Sequence, residues 1–127
     1  MAIMTDGNIK ILIVEHDEAD IEFIQRELKK CRINFSSKIV DNATDFEDAL
    51  INFAPDIILS DYNLPRFSGL TAFAIKERIS PDIPFIIVSG FIGEENAIEI
   101  IKSGVTDYVL KDRISSLPIK KIGRAHV

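Results

Sequence analysis

The chain has little cysteine and no long apolar run, and each shortage excludes a class of protein. A single cysteine, Cys31, cannot form a disulfide framework or a cysteine metal site, which fits a reducing compartment. The longest apolar runs are too short to span a bilayer, and the first ten residues lack the charged start and apolar stretch of a signal peptide. We therefore expect a cytoplasmic protein with no membrane partner.

Positive charge is also scarce. The net charge is −5 at pH 7, and no basic cluster appears before the C-terminus, so we expect no nucleic-acid surface in this segment. Hydrophobic residues, in contrast, make up 46% of the chain, which argues against disorder. A chain of 127 residues forms one domain that buries about two-thirds of its unfolded surface.

The last six residues, IGRAHV, match one reading frame of a common sequencing-adaptor DNA before its stop codon. We therefore interpret 122–127 as a non-native tail, with a natural basic tail as the alternative. The domain is then expected to occupy 1–121.

Apolar segments alternate with segments of helical periodicity. Strands are predicted at 9–15, 36–42, 56–61, 83–90 and 106–112, and helices at 17–32, 43–53, 69–79 and 93–104, with a weak fifth helix interrupted by Pro118. We expect Asp17 to cap the first helix, Thr44 and Glu47 to form a capping box, and Gly104 to close the fourth helix.

This alternation predicts an α/β fold, because parallel strands need helical crossovers that cover both faces of the sheet. The first strand is the most apolar and is therefore placed centrally. The strand order 2-1-3-4-5 follows, which is the flavodoxin-like doubly wound arrangement. The last helix is expected to be short or irregular.

Polar side chains follow several of these strands. Glu15, His16 and Asp17 follow the first strand, Asp61 ends the third, Ser89 ends the fourth, and Lys111 ends the fifth. In doubly wound sheets, chemistry collects outside the carboxyl ends of the strands, so these side chains should converge. Converging acids need a cation, and a hard divalent ion such as magnesium fits oxygen ligands. A phosphoryl group on Asp61 would satisfy the lysine and the hydroxyl, since carboxylates can form aspartyl phosphates.

Four segments, LIVEHD, LSDYNLPRFSG, IIVSG and GVTDYVLKD, occur in order and with matching spacing. With them the chain resembles the receiver domains of two-component response regulators over nearly all of residues 9–113. The resemblance implies that Asp61 accepts a phosphoryl group from a histidine kinase or phosphotransfer protein and that Lys111 pairs with that group. It also implies that Ser89 is the switch hydroxyl and Tyr108 the aromatic switch. A downstream effector domain or protein would read the phosphorylated state.

The metal site implied by the resemblance departs from the family pattern. Glu15 would reach magnesium through water, and Asp61 and the main-chain carbonyl of Asn63 would also serve the metal. His16 stands where the family has the acid that binds the ion directly, and imidazole suits zinc, copper or manganese better than magnesium. Either metal binding is weakened or Asp17 replaces that acid, and manganese becomes a possible cofactor beside magnesium.

A second departure is the pair Lys111 and Asp112, where the family has Lys-Pro with a cis bond. A cis bond before a residue other than proline costs several kcal/mol, so the bond is either trans or cis and strained. The Lys-Asp pair is typical of receivers attached to sensory kinases, which indicates a longer parent with PAS and histidine-kinase modules.

The leading hypothesis is a phosphoacceptor switch that assists its own phosphoryl transfer and dephosphorylation but is not a turnover enzyme. The alternative is a pseudo-receiver, an interaction module that is never phosphorylated, and His16 is the feature that favours it. A flavodoxin-like cofactor protein would need a phosphate cradle where this chain has EHDEAD, which repels phosphate. A hydrolase of the haloacid dehalogenase type would need an acid where Asn63 stands.

Overall fold

Strands and helices alternate along the residues that the computed structural model describes, 7–65, 67–90 and 94–116. The elements are β1 (Ile9–Val14), α1 (Glu18–Lys29), β2 (Phe35–Val40), α2 (Ala43–Asn52), β3 (Ile57–Asp61), α3 (Gly69–Ile79), β4 (Phe85–Ser89), α4 (Glu94–Ser103), β5 (Asp107–Leu110) and a 3₁₀ helix (Lys111–Ser116). The predicted tail at 122–127 and the predicted break at Pro118 lie outside the described residues.

The sheet has the predicted order, β2-β1-β3-β4-β5, and every pair of neighbours is parallel. The registers keep the carboxyl ends of adjacent strands level. Val14 pairs with Ser60, and Ser89 pairs with Leu110. Because all strands point the same way, residues that follow them meet at one edge of the sheet.

The core lies on both faces of the sheet. Successive strand residues point to opposite faces, so Leu12 and Val14 pack with α2, α3 and α4, whereas Ile11 and Ile13 pack with α1 and the 3₁₀ helix. Each large apolar side chain buried in this way contributes about 1.5–3 kcal/mol. The two-sided burial confirms the predicted α/β architecture.

The first helix begins as predicted but ends earlier. Asp17 is its N-cap, and its Oδ1 accepts a hydrogen bond of 2.8 Å from the backbone N–H of Ala19. The helix ends at Lys29, whereas the prediction extended it to residue 32. Arg32 has a φ of 54°, in the left-handed region, and a right-handed helix cannot continue through it.

The predicted capping box of Thr44 and Glu47 is wrong. Asn42 is the N-cap of α2, because its side-chain oxygen accepts a hydrogen bond of 2.9 Å from the backbone N–H of Asp45. The Asn42 amide donates in return to Asp45 Oδ2 at 2.9 Å. The chain leaves β2 at Val40, so the helix has already begun at Ala43 and Thr44 lies in its first turn.

The C-terminal part of the described chain agrees with one prediction and resolves another. Gly104 follows α4 with a φ of 91°, as expected of a glycine that ends a helix. The bond between Lys111 and Asp112 is trans, since the described residues contain no cis peptide bond. Lys111 lies one residue after β5, at the start of the 3₁₀ helix.

No helix within the described ranges is long and apolar enough to cross a membrane. The cytoplasmic location stays a prediction from the sequence.

Candidate functional site

The ammonium of Lys111 lies at the centre of a charged cluster at the carboxyl edge of the sheet. Its Nζ is 3.0 Å from Glu15 Oε1 and 4.0 Å from Asp61 Oδ2, two of the predicted residues. It also lies 2.7 Å from Asp20 Oδ2, a residue that the sequence motifs did not single out. One ammonium therefore faces three carboxylates, and this part of the site has an excess of negative charge.

Glu15 carries the least satisfied oxygen of this cluster. Its side chain is 0% exposed. Oε2 accepts hydrogen bonds from the backbone N–H groups of His16 at 3.1 Å and Asp17 at 3.3 Å. Oε1 is buried and receives no hydrogen bond of acceptable geometry, although the Lys111 ammonium is in ion-pair contact at 3.0 Å. The Lys111 ammonium thus compensates the charge of Oε1 without a well-aligned hydrogen bond, and this oxygen has room for a further ligand interaction.

Asp61 lies where the strand β3 ends, with its side chain 11% exposed. Burial, followed by the negative charge of Glu15, raises the pKa of Asp61 from 3.8 to about 6. The positive charge of Lys111 and hydrogen bonds from the backbone N–H groups of Tyr62 and Asn63 lower that pKa without cancelling the rise. Asp61 is therefore a carboxylate whose charge is only partly compensated by the protein.

The pKa of Lys111 is also raised, which for an ammonium stabilises the charged form. Burial lowers the pKa of its ammonium, but contacts with Asp20, Glu15 and Asp61 outweigh burial, so the net shift raises the pKa. The side chain is therefore a fixed positive charge at neutral pH, which is what an incoming anion requires.

A glycine brings the loop after β3 close to Asp61. A Cβ atom at Gly69 would lie 2.6 Å from the carbonyl oxygen of Asp61 and 2.9 Å from Ile87 Cδ1. The Gly69 N–H donates a hydrogen bond of 2.9 Å to the carbonyl of Tyr62, and Ser68 caps α3. Only glycine fits this approach without a backbone shift, so residue 69 fixes the position of the loop against the site.

Tyr62 links this site to α4. Its hydroxyl donates to Asn96 Oδ1 at 3.3 Å and lies 3.5 Å from Glu99 Oε1. Burial and the nearby charge of Glu99 raise the pKa of Tyr62, so the phenol stays protonated. The residue next to Asp61 in the chain thus contacts a helix that is distant in sequence.

The two predicted switch residues lie in adjacent strands. Ser89 is the last residue of β4 and is buried, and Tyr108 is half-buried in β5, where it pairs with Ile87. Tyr108 packs against the core cluster that contains Ile100 of α4. Asn63 lies in the loop after β3.

His16 and Asp17 lie at the rim of the site. His16 is exposed, with Nδ1 3.6 Å from Glu15 Oε2, and Asp17 uses its Oδ1 to cap α1. No three His, Cys, Asp or Glu side chains among the described residues are arranged to hold a metal by themselves. The carboxylates of Glu15 and Asp61, which share one ammonium, nevertheless fit a hard divalent cation, which prefers oxygen ligands.

Sequence comparison places the chain within a known family. The profile of the response regulator receiver domain matches residues 11–119. The transcriptional regulatory protein KdpE of Staphylococcus aureus is 31% identical over 92% of this chain and 52% of its own length. ZraR of Escherichia coli O157:H7, another transcriptional regulatory protein, is 23% identical over 98% of this chain, which spans only 29% of ZraR.

Structure comparison agrees with the sequence. The crystal structure of the Mn²⁺-bound form of the response regulator Rcp1 has a TM-score of 0.69 and 24% identity. The matched region covers 85% of this chain and 90% of the Rcp1 chain, so the two proteins share their fold. Together with the profile match, the comparisons show that this chain belongs to the response regulator receiver domains of two-component systems.

Proposed function

We propose that this domain is a signalling switch that accepts a phosphoryl group on Asp61 from the phosphohistidine of a histidine kinase or phosphotransfer protein. The observation that carries the proposal is the convergence on the Lys111 ammonium, which lies 3.0 Å from Glu15 and 4.0 Å from Asp61. A buried carboxylate beside a fixed positive charge at an open strand edge suits an acceptor of an anionic group.

The transfer makes one bond and breaks one. An Asp61 carboxylate oxygen forms a bond to phosphorus as the N–P bond of the donor breaks, and the electron pair stays on the imidazole nitrogen, which takes a proton. Lys111 neutralises charge on the phosphoryl oxygens. A divalent cation, when bound, would neutralise the remaining charge, and Glu15, Asp61 and the main-chain carbonyl of Asn63 are the residues that would hold it.

Magnesium is the proposed ion, and manganese is the alternative. The structural neighbour Rcp1 was crystallised in its Mn²⁺-bound form. His16 lies at the rim of this site with Nδ1 3.6 Å from Glu15, and imidazole is a better ligand for manganese than for magnesium. Asp17 is the other candidate for the missing acid, although its Oδ1 already caps α1.

Phosphorylation would act through Ser89 and Tyr108. We infer that the Ser89 hydroxyl moves to the phosphoryl group and that Tyr108 repacks with it, because Ser89 ends the strand that pairs with the strand of Tyr108. The repacking would alter the surface formed by α4 and β5, which a partner could read. The curated relatives are named transcriptional regulators and are longer than this chain, so an effector domain is the proposed reader.

The test is phosphorylation by acetyl phosphate with magnesium, read by intact mass. We expect one phosphoryl adduct on the parent chain and none on Asp61→Asn. Asp56→Asn is the matched control, since Asp56 lies just before the other end of β3 and should leave the adduct intact. A folded parent chain that gains no adduct with magnesium or manganese would favour the pseudo-receiver, and an adduct on Asp61→Asn would move the acceptor elsewhere.

A further inference from the structure

Lys111 makes its shortest ion pair with a residue outside the predicted site. The hydrogen bond from Nζ to Asp20 Oδ2 is 2.7 Å long, whereas Nζ lies 4.0 Å from Asp61 Oδ2, beyond hydrogen-bond range. The ammonium is therefore hydrogen-bonded to α1, and its ion pair with Asp61, the carboxylate that the proposed function needs it to serve, is the longest of its three.

Packing between α1 and the 3₁₀ helix fixes this arrangement. Ile114 of the 3₁₀ helix is fully buried in the same cluster as Ile24 and Leu28 of α1. That contact holds the start of the 3₁₀ helix, where Lys111 lies, against the first turns of α1, where Asp20 lies. The pair is thus a product of the core and not of two independent surface side chains.

Asp20 and Glu15 differ in how well their negative charge would be compensated if the Lys111 ammonium moved away. The side chain of Asp20 is 39% exposed, so water can take over its charge. The side chain of Glu15 is 0% exposed and would be left as an uncompensated buried charge. Breaking the contact with Asp20 is therefore much less costly than breaking the contact with Glu15.

We propose that Asp20 is a positioning residue that holds the Lys111 ammonium away from Asp61 in the unphosphorylated domain and competes with the phosphoryl group for it. On phosphorylation Lys111 exchanges Asp20 for a phosphoryl oxygen while it keeps its contact with Glu15. This inference rests on the proposed function. Asp20 touches no reacting atom, and it sets how strongly the resting state resists the phosphorylated one.

The test measures binding of beryllofluoride, an analogue of the phosphoryl group, by calorimetry at saturating magnesium. Asp20→Asn removes the competing charge, and we expect its dissociation constant for beryllofluoride to fall about two- to fivefold, the range of a partly exposed ion pair. Asp20→Glu should stay near the parent value. Glu18→Gln is the matched control, because Glu18 is an exposed acid in the same first turn of α1 and its loss changes net charge equally.

A merely structural role for Asp20 would give a different result. Asp20→Asn would then lower the melting temperature and leave beryllofluoride binding unchanged or weaker. Equal binding by Asp20→Asn and Glu18→Gln would overturn the inference while the proposed function stands. A parent chain that does not bind beryllofluoride at all would overturn both.

Discussion

An aspartate stands at each end of β3, with Asp56 just before its first residue and Asp61 as its last, and the two carboxylates lie in opposite environments. At the amino end, Asp56 Oδ2 accepts a hydrogen bond of 2.8 Å from the backbone N–H of Lys10, and the Asp56 N–H donates one of 2.8 Å to the carbonyl of Lys10. At the carboxyl end, Asp61 is buried beside Glu15, and its pKa is raised to about 6. Asp56 is hydrogen-bonded to the neighbouring strand β1, whereas Asp61 is buried with its negative charge only partly compensated.

The difference shows where this fold leaves its interactions incomplete. The polar group at the amino end is satisfied by the neighbouring strand, which contributes to stability. The carboxylates at the other end face one ammonium between them, and Glu15 retains an oxygen without a hydrogen bond. Unfavourable interactions concentrated in one place are typical of sites that bind a ligand or a group absent from the free chain.

The largest expected effect is a pH-dependent change in the free energy of unfolding when Asp61 is replaced. The pKa of Asp61 rises from its ordinary value of 3.8 to about 6 on folding, so the folded state binds the proton more tightly and stability falls as pH rises through that interval. Asp61→Asn removes this loss, and in chelator at about pH 8 it should gain up to about 3 kcal/mol in free energy of unfolding.

Urea unfolding across pH checks this expectation. The gain of Asp61→Asn over the parent should vanish below about pH 3, where both states of the parent are protonated. Added magnesium should reduce the gain, because the ion stabilises only the parent carboxylate. A gain independent of pH would show that Asp61 is not the titrating group.

A second expected effect concerns the backbone at the same end of the strand. Gly69→Ala places a Cβ atom 2.6 Å from the carbonyl oxygen of Asp61, so the loop must shift. We expect a loss of about 1–3 kcal/mol, as for other overpacked positions, together with slower phosphorylation by acetyl phosphate. Gly90→Ala is the matched control, since a Cβ there meets nothing within 4 Å, and equal losses for the two variants would contradict the close approach.

The smallest expected effect is at the amino end. Asp56→Ala removes the acceptor for the Lys10 N–H and should cost about 1 kcal/mol in thermal or urea unfolding. Asp56→Asn keeps a side-chain oxygen and should stay close to the parent. Phosphorylation should be unaffected in both, and a change in its rate would mean that the two ends of the strand are not independent.

The sequence predicted the fold well because its strongest signals are local. Each central strand is mostly apolar, and the polar residue at its end marks the edge, so the order of residues alone was enough to place Asp61, Ser89 and Lys111 there. Element boundaries were less certain. Asn42 and Thr44 are both good capping residues two positions apart, and only the path of the chain from β2 decides between them.

Other features could not be predicted because they depend on distant parts of the chain. Asp20 reads as an ordinary acid in the first turn of a helix, and its contact with Lys111, 91 residues away, depends on how the 3₁₀ helix packs against α1. The left-handed backbone of Arg32 could not be predicted from its residue type, because this conformation is more common for glycine or asparagine. The position of Asp20 four residues before Ile24 on α1 is the one local signal, since it places the acid on the packed side of that helix.

The position of Tyr62 has a practical consequence for spectroscopy. The chain contains two tyrosines and no tryptophan. Tyr62 directly follows Asp61, and Tyr108 lies in the strand that pairs with the one ending at Ser89. The near-ultraviolet fluorescence of this protein therefore originates beside the candidate site. We therefore expect that occupancy of the site can be followed through tyrosine emission from the unlabelled chain.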